Sequence, residues 1–365
     1  MKFVCDGLTL SEAAVKTGKA CAVRTTAPIL ECIKLCAGND EVTLFATDGE
    51  LSIQKTIRAE VFEEGEVCVP GKLFCDFIGK LTSVEVTIQT SDWGIEIKYL
   101  DSGTYMQVLS ADEFPKISLD IGENSFVLKK RELKQVVAKT SFCCATDDSR
   151  PILKGCLMEF GEQLEMTALD GYRLAYATAE IVSKTGANSI VCPARTLVEI
   201  SRMIDESDEE ITLYTQGGML LVRTEDMIIV SRLYQGDFIK RSSVVPVTFS
   251  TLVTLSKTEL LESVERAAIL IRGDKNNLVT LTIGGNMVKI ASVSEQGTLS
   301  ESIAAGTEGK ELVISMNAKF LTDALKALEE ESVQIAFNGP VSPFVLENSE
   351  KKGSFYLILP VRNVQ

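Results

Sequence analysis

Two carboxylates recur in the same setting, Asp48 before Gly49 and Asp170 before Gly171. Paired carboxylates are what a metal-dependent nuclease would use. The alternative is that each Asp-Gly is a tight hairpin turn. No further carboxylate clearly converges on either one. The chain has no histidine, so it lacks the commonest general base and metal ligand. Ser-His-Asp, Cys-His and His-containing zinc sites are excluded. Ten cysteines are present, all before residue 193. Cys143 and Cys144 are adjacent, Cys32 and Cys36 are four apart, and no CxxC pair occurs. The residues from Met1 to Leu10 show no signal-peptide pattern. The thiols are therefore expected to be reduced, cytoplasmic and packed as small hydrophobes. No catalytic residue, metal or cofactor is expected.

The remaining chemistry is cationic. Lys72 and Lys80 are eight residues apart, Arg195 and Arg202 seven, and Lys319 and Lys326 seven. That spacing is two helical turns, so each pair shares one face. Apolar residues are expected on the other faces: Leu73, Phe77 and Leu81; Leu197, Ile200 and Ile204; Phe320, Leu321 and Leu325. A second set, Lys19, Lys139 and Arg266, follows Glu12, Glu132 and Glu259 by seven residues, an order that complements a helix macrodipole. The net charge of -14 argues against a nucleic-acid partner only if it is evenly spread. Acids cluster instead in Glu60–Glu66, Asp205–Glu210, Glu329–Glu331 and Glu347–Glu350.

These cations recur because the chain repeats itself. Pro28-Ile29-Leu30 leading to Ala46-Thr47-Asp48-Gly49 matches Pro151-Ile152-Leu153 leading to Ala168-Leu169-Asp170-Gly171. Val69-Pro70-Gly71-Lys72-Leu73 matches Cys192-Pro193-Ala194-Arg195-Thr196-Leu197, and a fainter third copy holds Ser315 to Leu321. The segment from Leu109 to Lys116 matches that from Leu233 to Lys240. Three copies of about 122 residues fill the chain, with expected borders at 1–123, 124–246 and 247–365.

Each copy predicts a helix (Leu10–Ala22, Lys130–Phe142, Lys257–Leu270), then strands such as Glu41–Ala46 and Gln163–Ala168. A second helix follows (Gly71–Leu81, Ala194–Ile204, Ala318–Leu328), then closing strands with turns at Gly217-Gly218 and Asn338-Gly339. Ser256 and Glu259 form a capping box. The class is α+β: three similar domains, each with two helices and antiparallel sheets, able to join edge to edge. The hydrophobic content of 45% and mean hydropathy of +0.14 fit well-buried domains. No apolar run approaches the roughly 20 residues of a membrane span.

Met1-Lys2-Phe3, Arg24 before Pro28-Ile29-Leu30, Ala267-Ala268-Ile269-Leu270, Asp170 to Leu174, and Tyr356 to Arg362 together resemble the bacterial sliding clamps, the β subunits of the replicative DNA polymerase III. The resemblance covers the whole chain. It implies the DNA clamp fold and a head-to-tail homodimeric ring around double-stranded DNA, without sequence specificity. It also implies a processivity role that tethers the polymerase, clamp loader and repair proteins by short peptide motifs. The same features leave open a three-repeat protein-interaction scaffold without DNA encirclement.

The resemblance carries over a partner-peptide pocket: Leu153, Gly171, Tyr172, Arg173, Leu174, Val244, Pro246, Leu357, Leu359, Pro360, Val361 and Arg362. Leu169 stands where the family usually has Thr, Tyr172 where His is common, and Phe238-Ile239-Lys240-Arg241 replaces Phe-Pro-Asp-Tyr at the rim. Asn363-Val364-Gln365 follow Arg362 and are expected either to cover the pocket edge or to extend into solvent. Arg24 and Arg150 carry over as DNA contacts, joined by Lys72, Lys80, Arg195, Arg202, Lys319 and Lys326. For ring closure, Thr104, Met106 and Val108 are expected to meet Ile269 and Leu270 of the partner subunit.

Overall fold

The structure, a computed structural model, describes residues 1–82, 84–117, 122, 124–186, 189–273, 277–348 and 353–362. Each repeat opens with a strand ahead of its helix. In the first, β1 (Lys2–Asp6) and α1 (Gly7–Gly18) lead to β2 (Cys32–Gly38), β3 (Glu41–Thr47) and β4 (Leu51–Arg58). Then come β5 (Glu60–Glu63), β6 (Gly65–Pro70), α2 (Gly71–Ile78), β7 (Glu85–Ser91), β8 (Gly94–Tyr99) and β9 (Ser102–Met106).

The second repeat runs β10 (Asn124–Lys129), α3 (Lys130–Thr140), β11 (Gly155–Phe160), β12 (Gln163–Leu169) and β13 (Arg173–Glu180). It continues with β14 (Ser183–Thr185), β15 (Ser189–Pro193), α4 (Ala194–Met203), β16 (Glu210–Gln216), β17 (Met219–Arg223) and β18 (Met227–Arg232). The third holds β19 (Thr251–Ser256), α5 (Lys257–Leu270), β20 (Leu278–Gly284), β21 (Met287–Ser294) and β22 (Gly297–Gly309). It ends with β23 (Leu312–Asn317), α6 (Ala318–Ala327), β24 (Ser332–Phe337), β25 (Phe344–Asn348) and β26 (Ser354–Ile358).

The chain forms two compact units, and the middle repeat contributes to both. One comprises Met1–Lys130, Val182–Gly186 and Glu199–Leu233; the other comprises Arg131–Ile181, Ala187–Val198 and Tyr234–Gln365. The first unit holds the sheets β5-β1-β7-β8-β9 and β14-β10-β16-β17-β18-β4-β3-β2-β6. The second holds β15-β11-β12-β13-β26-β25-β24-β19-β22-β21-β20-β23. Adjacent repeats are joined strand to strand. In the first unit β18 runs antiparallel to β4, with Ile229 opposite Ile53. In the second, β26 runs antiparallel to β13, with Tyr356 opposite Ala175. An ion pair between Lys55 and Asp226 ties the first of these joins.

Helices cover one face of their sheets because their apolar residues lie on one side. Leu10, Ala13 and Ala14 of α1 and Phe74 and Ile78 of α2 are buried, and α1 packs on α2. In the third repeat α5 buries Leu260, Val264 and Ala267 against α6, which buries Leu321, Ala324 and Leu325. Ser256 Oγ accepts the Glu259 amide at 3.3 Å, as the capping box requires.

Two expectations need correction. Helix α1 begins at Gly7 rather than Leu10, because Asp6 caps it by accepting the Thr9 amide at 2.8 Å. Helix α2 stops at Ile78, so Lys80 lies beyond it, and Leu73 is 55% exposed. The buried side of α2 is set by Phe74 and Ile78, four apart on one face. Leu81 is buried as expected, but outside the helix.

The start of α1 tolerates no side chain. A Cβ on Gly7 would lie 2.0 Å from the Leu81 carbonyl oxygen and 2.6 Å from that of Val84. Gly7→Ala is expected to destabilise the first unit by about 1–3 kcal/mol, as overpacking does. Urea unfolding followed by circular dichroism measures this, and an unchanged midpoint would contradict it.

Candidate functional site

A row of four cross-strand neighbours organises the site in the second unit. Leu169 of β12 stands opposite Leu174 of β13, Leu174 opposite Leu357 of β26, and Leu357 opposite Val345 of β25. Side chains opposite one another in antiparallel strands share a face, so the four form one apolar strip. Leu153, from the short 3-10 turn Pro151–Lys154, completes a buried cluster with them. Phe238, Ile239, Val245, Phe249 and Leu359 pack against it. The structure thus brings together Leu153, Leu174, Leu357 and Leu359 of the expected pocket.

The other expected pocket residues occupy the margin. Val244 is exposed and Pro246 half-buried, while Val245 meets the cluster. Pro360 and Val361 are half-buried and Arg362 is exposed. The tail Asn363-Val364-Gln365 lies outside the described residues. Sequence reasoning missed Val345, which lies in a strand buried almost throughout and so carries no alternating signal; Leu169, which differs from the family's usual Thr, belongs to the buried cluster.

The turn beside this strip is built by Asp170. Its Oδ1 accepts the Tyr172 and Arg173 amides at 2.9 and 3.0 Å, while Gly171 takes a φ of +92° with open space around it. Asp48 does the same, accepting the Glu50 and Leu51 amides. Both carboxylates are thus used in closing turns. Among the described residues no group of three or more Cys, Asp or Glu could hold a metal.

Arg173 is turned inward. Its Nε donates to Asp170 at 3.0 Å, and its terminal nitrogens donate to Asp323 at 2.7 Å and the Phe142 carbonyl at 2.8 Å. The guanidinium also lies 4.5 Å from the Phe320 ring centroid. Tyr172, next in the turn, is exposed and stacks on Phe320 at 6.4 Å. Its carbonyl accepts the Leu359 amide at 2.9 Å. Arg173 therefore fixes the hairpin to α6, and Tyr172 forms the accessible rim.

The cations divide into two groups. Arg202 pairs with Glu199 at 2.9 Å, Lys319 with Asp323 at 2.7 Å and Lys326 with Glu265 at 2.8 Å. Arg195 is exposed on α4 and is also engaged. Of the second set, Lys139 pairs with Glu329, and Arg266 grips both carboxylate oxygens of Glu301. Arg24, Arg150, Lys72 and Lys80 are exposed, with no acidic partner among the described residues.

At the proposed ring edge, β9 ends its sheet. Met106 is buried and Thr104 half-buried, both on the inward side, and Val108 lies past the strand end. Tyr105, which sequence reasoning missed, points outward and is 66% exposed. In the second unit Ile269 is 61% exposed near the end of α5, and the Leu270 carbonyl accepts the Ser294 hydroxyl at 2.7 Å.

All ten cysteines are free thiols, each buried or half-buried. Burial pushes the Cys5, Cys21 and Cys68 thiols up to about 12 and those of Cys36 and Cys75 up to about 11. They pack as small hydrophobes rather than as nucleophiles. No helix among the described residues is long and apolar enough to cross a membrane.

Three family models match the chain end to end: the DNA polymerase III beta subunit N-terminal domain over residues 1–118, its central domain over 127–240 and its C-terminal domain over 242–362. A beta sliding clamp of Staphylococcus epidermidis is 32% identical over 359 residues, covering 95% of each chain. One from Halalkalibacterium halodurans is 31% identical over 378 residues, covering 99% of this chain and 100% of that one. The crystal structure of the DNA polymerase sliding clamp from Bacillus subtilis superposes with a TM-score of 0.94 at 29% identity, covering 100% of this chain and 99% of that one.

Arg173 has two carboxylates, a carbonyl and a ring face as partners, so its removal strands buried groups. Arg173→Ala is expected to cost about 3–5 kcal/mol, as loss of one member of a buried ion pair does. Arg173→Lys should recover only part of this, since an ammonium lacks the planar fork. Denaturant unfolding of the three proteins tests the order; a full rescue by Lys would refute it.

Proposed function

Because the chain belongs to the DNA polymerase III beta subunit family, the bacterial sliding clamps, we propose that it is the processivity factor of that polymerase, closing as a homodimeric ring around duplex DNA. The observation that carries the ring is the unmatched strand edge. Three clamp domains, drawn at 1–123, 124–246 and 247–365, give two joins within the chain. Matched registers make Ser52, Leu174 and Thr298 equivalent, and likewise Tyr105, Val230 and Leu357. Ser52 stands opposite Val230 and Leu174 opposite Leu357. By the same rule Tyr105 of one copy stands opposite the partner subunit's Thr298. Strand β9 would then run antiparallel to the first half of β22, and head-to-tail pairing of two chains would leave neither of these two edges open. Ile269 and Leu270 would flank that seam.

Encirclement makes tight DNA contact unnecessary. Arg24, Arg150, Lys72 and Lys80, which have no acidic partner among the described residues, suit mobile contacts with phosphates, which carry no sequence information. The engaged cations Arg195, Arg202, Lys319 and Lys326 would contact DNA only by giving up their partners. The role needs no reaction centre, and we assign the chain no catalytic residue. Reduced thiols suit work in the cytoplasm.

The apolar strip of Leu153, Leu169, Leu174, Val345 and Leu357 would receive short, extended peptide segments of the polymerase, loader and repair proteins. Two or three apolar anchors at about 1.5–3 kcal/mol each give on the order of 5–8 kcal/mol. Less the ordering cost, that corresponds to about micromolar affinity or weaker. Such binding lets one partner replace another.

Two experiments test these assignments. Tyr105→Cys with Thr298→Cys, oxidised around a nicked circular duplex, should give covalently closed rings that stay on the circle in high salt and slip off once it is linearised. Tyr105→Cys with Leu299→Cys, on the opposite face, should not close. Equal loss from circular and linear DNA would favour the scaffold reading. Separately, Leu174→Ala with Leu357→Ala should abolish binding of polymerase-derived peptides while leaving the dimer mass unchanged; undiminished peptide affinity would remove the pocket assignment.

A further inference from the structure

The apolar strip is the floor of the peptide pocket, and residues 235–247, which lead from the second repeat to the third, supply a wall. Phe238, Ile239 and Val245 of this segment pack against the strip. No residue from 235 to 247 is fully buried, and the segment belongs to no sheet. It is fastened just outside its two ends. The Tyr234 amide donates to the Val191 carbonyl at 2.9 Å, and the Ser250 amide to that of Phe337 at 2.8 Å. Asn338 Nδ2 donates to the Thr248 carbonyl. Between these points the backbone bonds only within itself among the described residues. The Val244 and Val245 amides both donate to the Arg241 carbonyl at 3.1 Å, closing the 3-10 turn Arg241–Ser243.

Among the described residues, one side chain gives this wall a polar tie to the sheet. Arg241 Nη2 pairs with Glu165 of β12 at 2.9 Å. Its guanidinium carbon lies 3.8 Å from the centroid of the Tyr176 ring, a cation–π contact. Tyr176 stands opposite Thr167 and Phe355, and its ring lies 5.0 Å from that of Phe355. Tyr176 and Phe355 are each two residues from Leu174 and Leu357 along their strands, so they share the face of the strip. Both pack against its buried cluster. Arg241 therefore closes over the row next to the floor. Through its carbonyl it also sets the turn that delivers Val245.

We propose that Arg241 is a positioning residue of the peptide pocket, latching residues 235–247 onto Tyr176 and Glu165 so that the wall stands before a peptide arrives. It acts through Phe238, Ile239 and Val245 and makes no contact with the peptide itself. Half-buried apolar contacts alone hold the unlatched segment, so the wall is then formed in only a fraction of molecules. The apparent affinity falls by that fraction. A pocket that must first assemble its wall associates more slowly, whereas a lost contact speeds dissociation. The assignment rests on the peptide-binding reading of the pocket floored by Leu174 and Leu357.

The test uses the full-length protein and a fluorescein-labelled, amidated Ser-Leu-Ser-Leu-Phe peptide, followed by equilibrium and stopped-flow anisotropy. Amide hydrogen exchange with mass spectrometry follows residues 235–247 in the free protein. In Arg241→Ala that segment should exchange about tenfold faster, while β12, β13 and β26 keep their protection. Peptide affinity should fall about tenfold through slower association, at an unchanged dissociation rate. Arg241→Lys should restore part of both, since it keeps the charge for Glu165 but not the planar stack on Tyr176. Adding Glu165→Gln to Arg241→Ala should cost nothing further, because the two act as one unit. Unchanged exchange in Arg241→Ala, or faster exchange with unchanged affinity, overturns the proposal and leaves the pocket standing. Faster dissociation at an unchanged association rate makes Arg241 a peptide contact and overturns it too. So does a loss of protection that spreads through β12, β13 and β26, which is a folding defect. Affinity undiminished in Leu174→Ala with Leu357→Ala removes the pocket reading, and the role of Arg241 with it, whatever the exchange shows.

Discussion

Everything in this fold answers to the backbone hydrogen bonds at strand edges. A strand at the border of a sheet exposes a line of amides and carbonyls that must find water or another strand. Here the second and third repeats end in such a strand, and the chain answers by pairing it with the preceding repeat, β18 on β4 and β26 on β13. These joins have the same ladder geometry as the pairings inside a repeat. That is why compactness does not follow the repeats: the middle one is shared between two units. The repeat organises the sequence, whereas the sheets organise the molecule.

The same geometry permits different chemistry at each join. One backbone row carries Leu169, Leu174, Leu357 and Val345; its equivalent carries Thr47, Ser52, Val230 and Leu221. Register fixes which residues meet, and side-chain type then decides how polar each row is. Electrostatics divides along similar lines. Cations on the second helices are mostly answered by nearby acids, as Lys319 is by Asp323 and Lys326 by Glu265. Arg24 and Arg150, both in loops, have no acidic partner among the described residues. A basic helix face read from spacing alone overstates the free charge, because the neutralising partner can come from another element, as Glu265 of α5 does for Lys326.

The sequence made the larger outline legible through three features. Repeated segments gave the three domains that the family models match, helical spacing placed most helix cores, and Asp-Gly pairs marked turns that both close on their own amides. What it hid was rotation and partnership. Leu73 and Phe74 are equally apolar neighbours, and only packing against α1 decides that Phe74 is the one buried. Val345 joins the apolar strip because its hairpin partner Leu357 is paired in turn with Leu174 of the distant strand β13. Arg173 lies within a recognisable pocket segment, yet its role is set by Asp323, 150 residues away. The Asp6 cap, by contrast, was readable as an acid just ahead of a helix.

Covalent continuity gives the joins unequal obligations. Within the chain, β4 and β18 are tethered, so their local concentration is high whatever the dilution of the protein. A tethered seam can give up some apolar contact, and the hydroxyls of Thr47 and Ser52 occupy positions where its counterpart has leucines. A seam between separate chains has no such reserve, and its integrity varies with how many molecules the cell maintains. In the proposed ring, fusing three repeats into one polypeptide would confine sensitivity to abundance to the contact between chains, while the tethered seams are free to diversify in side-chain type.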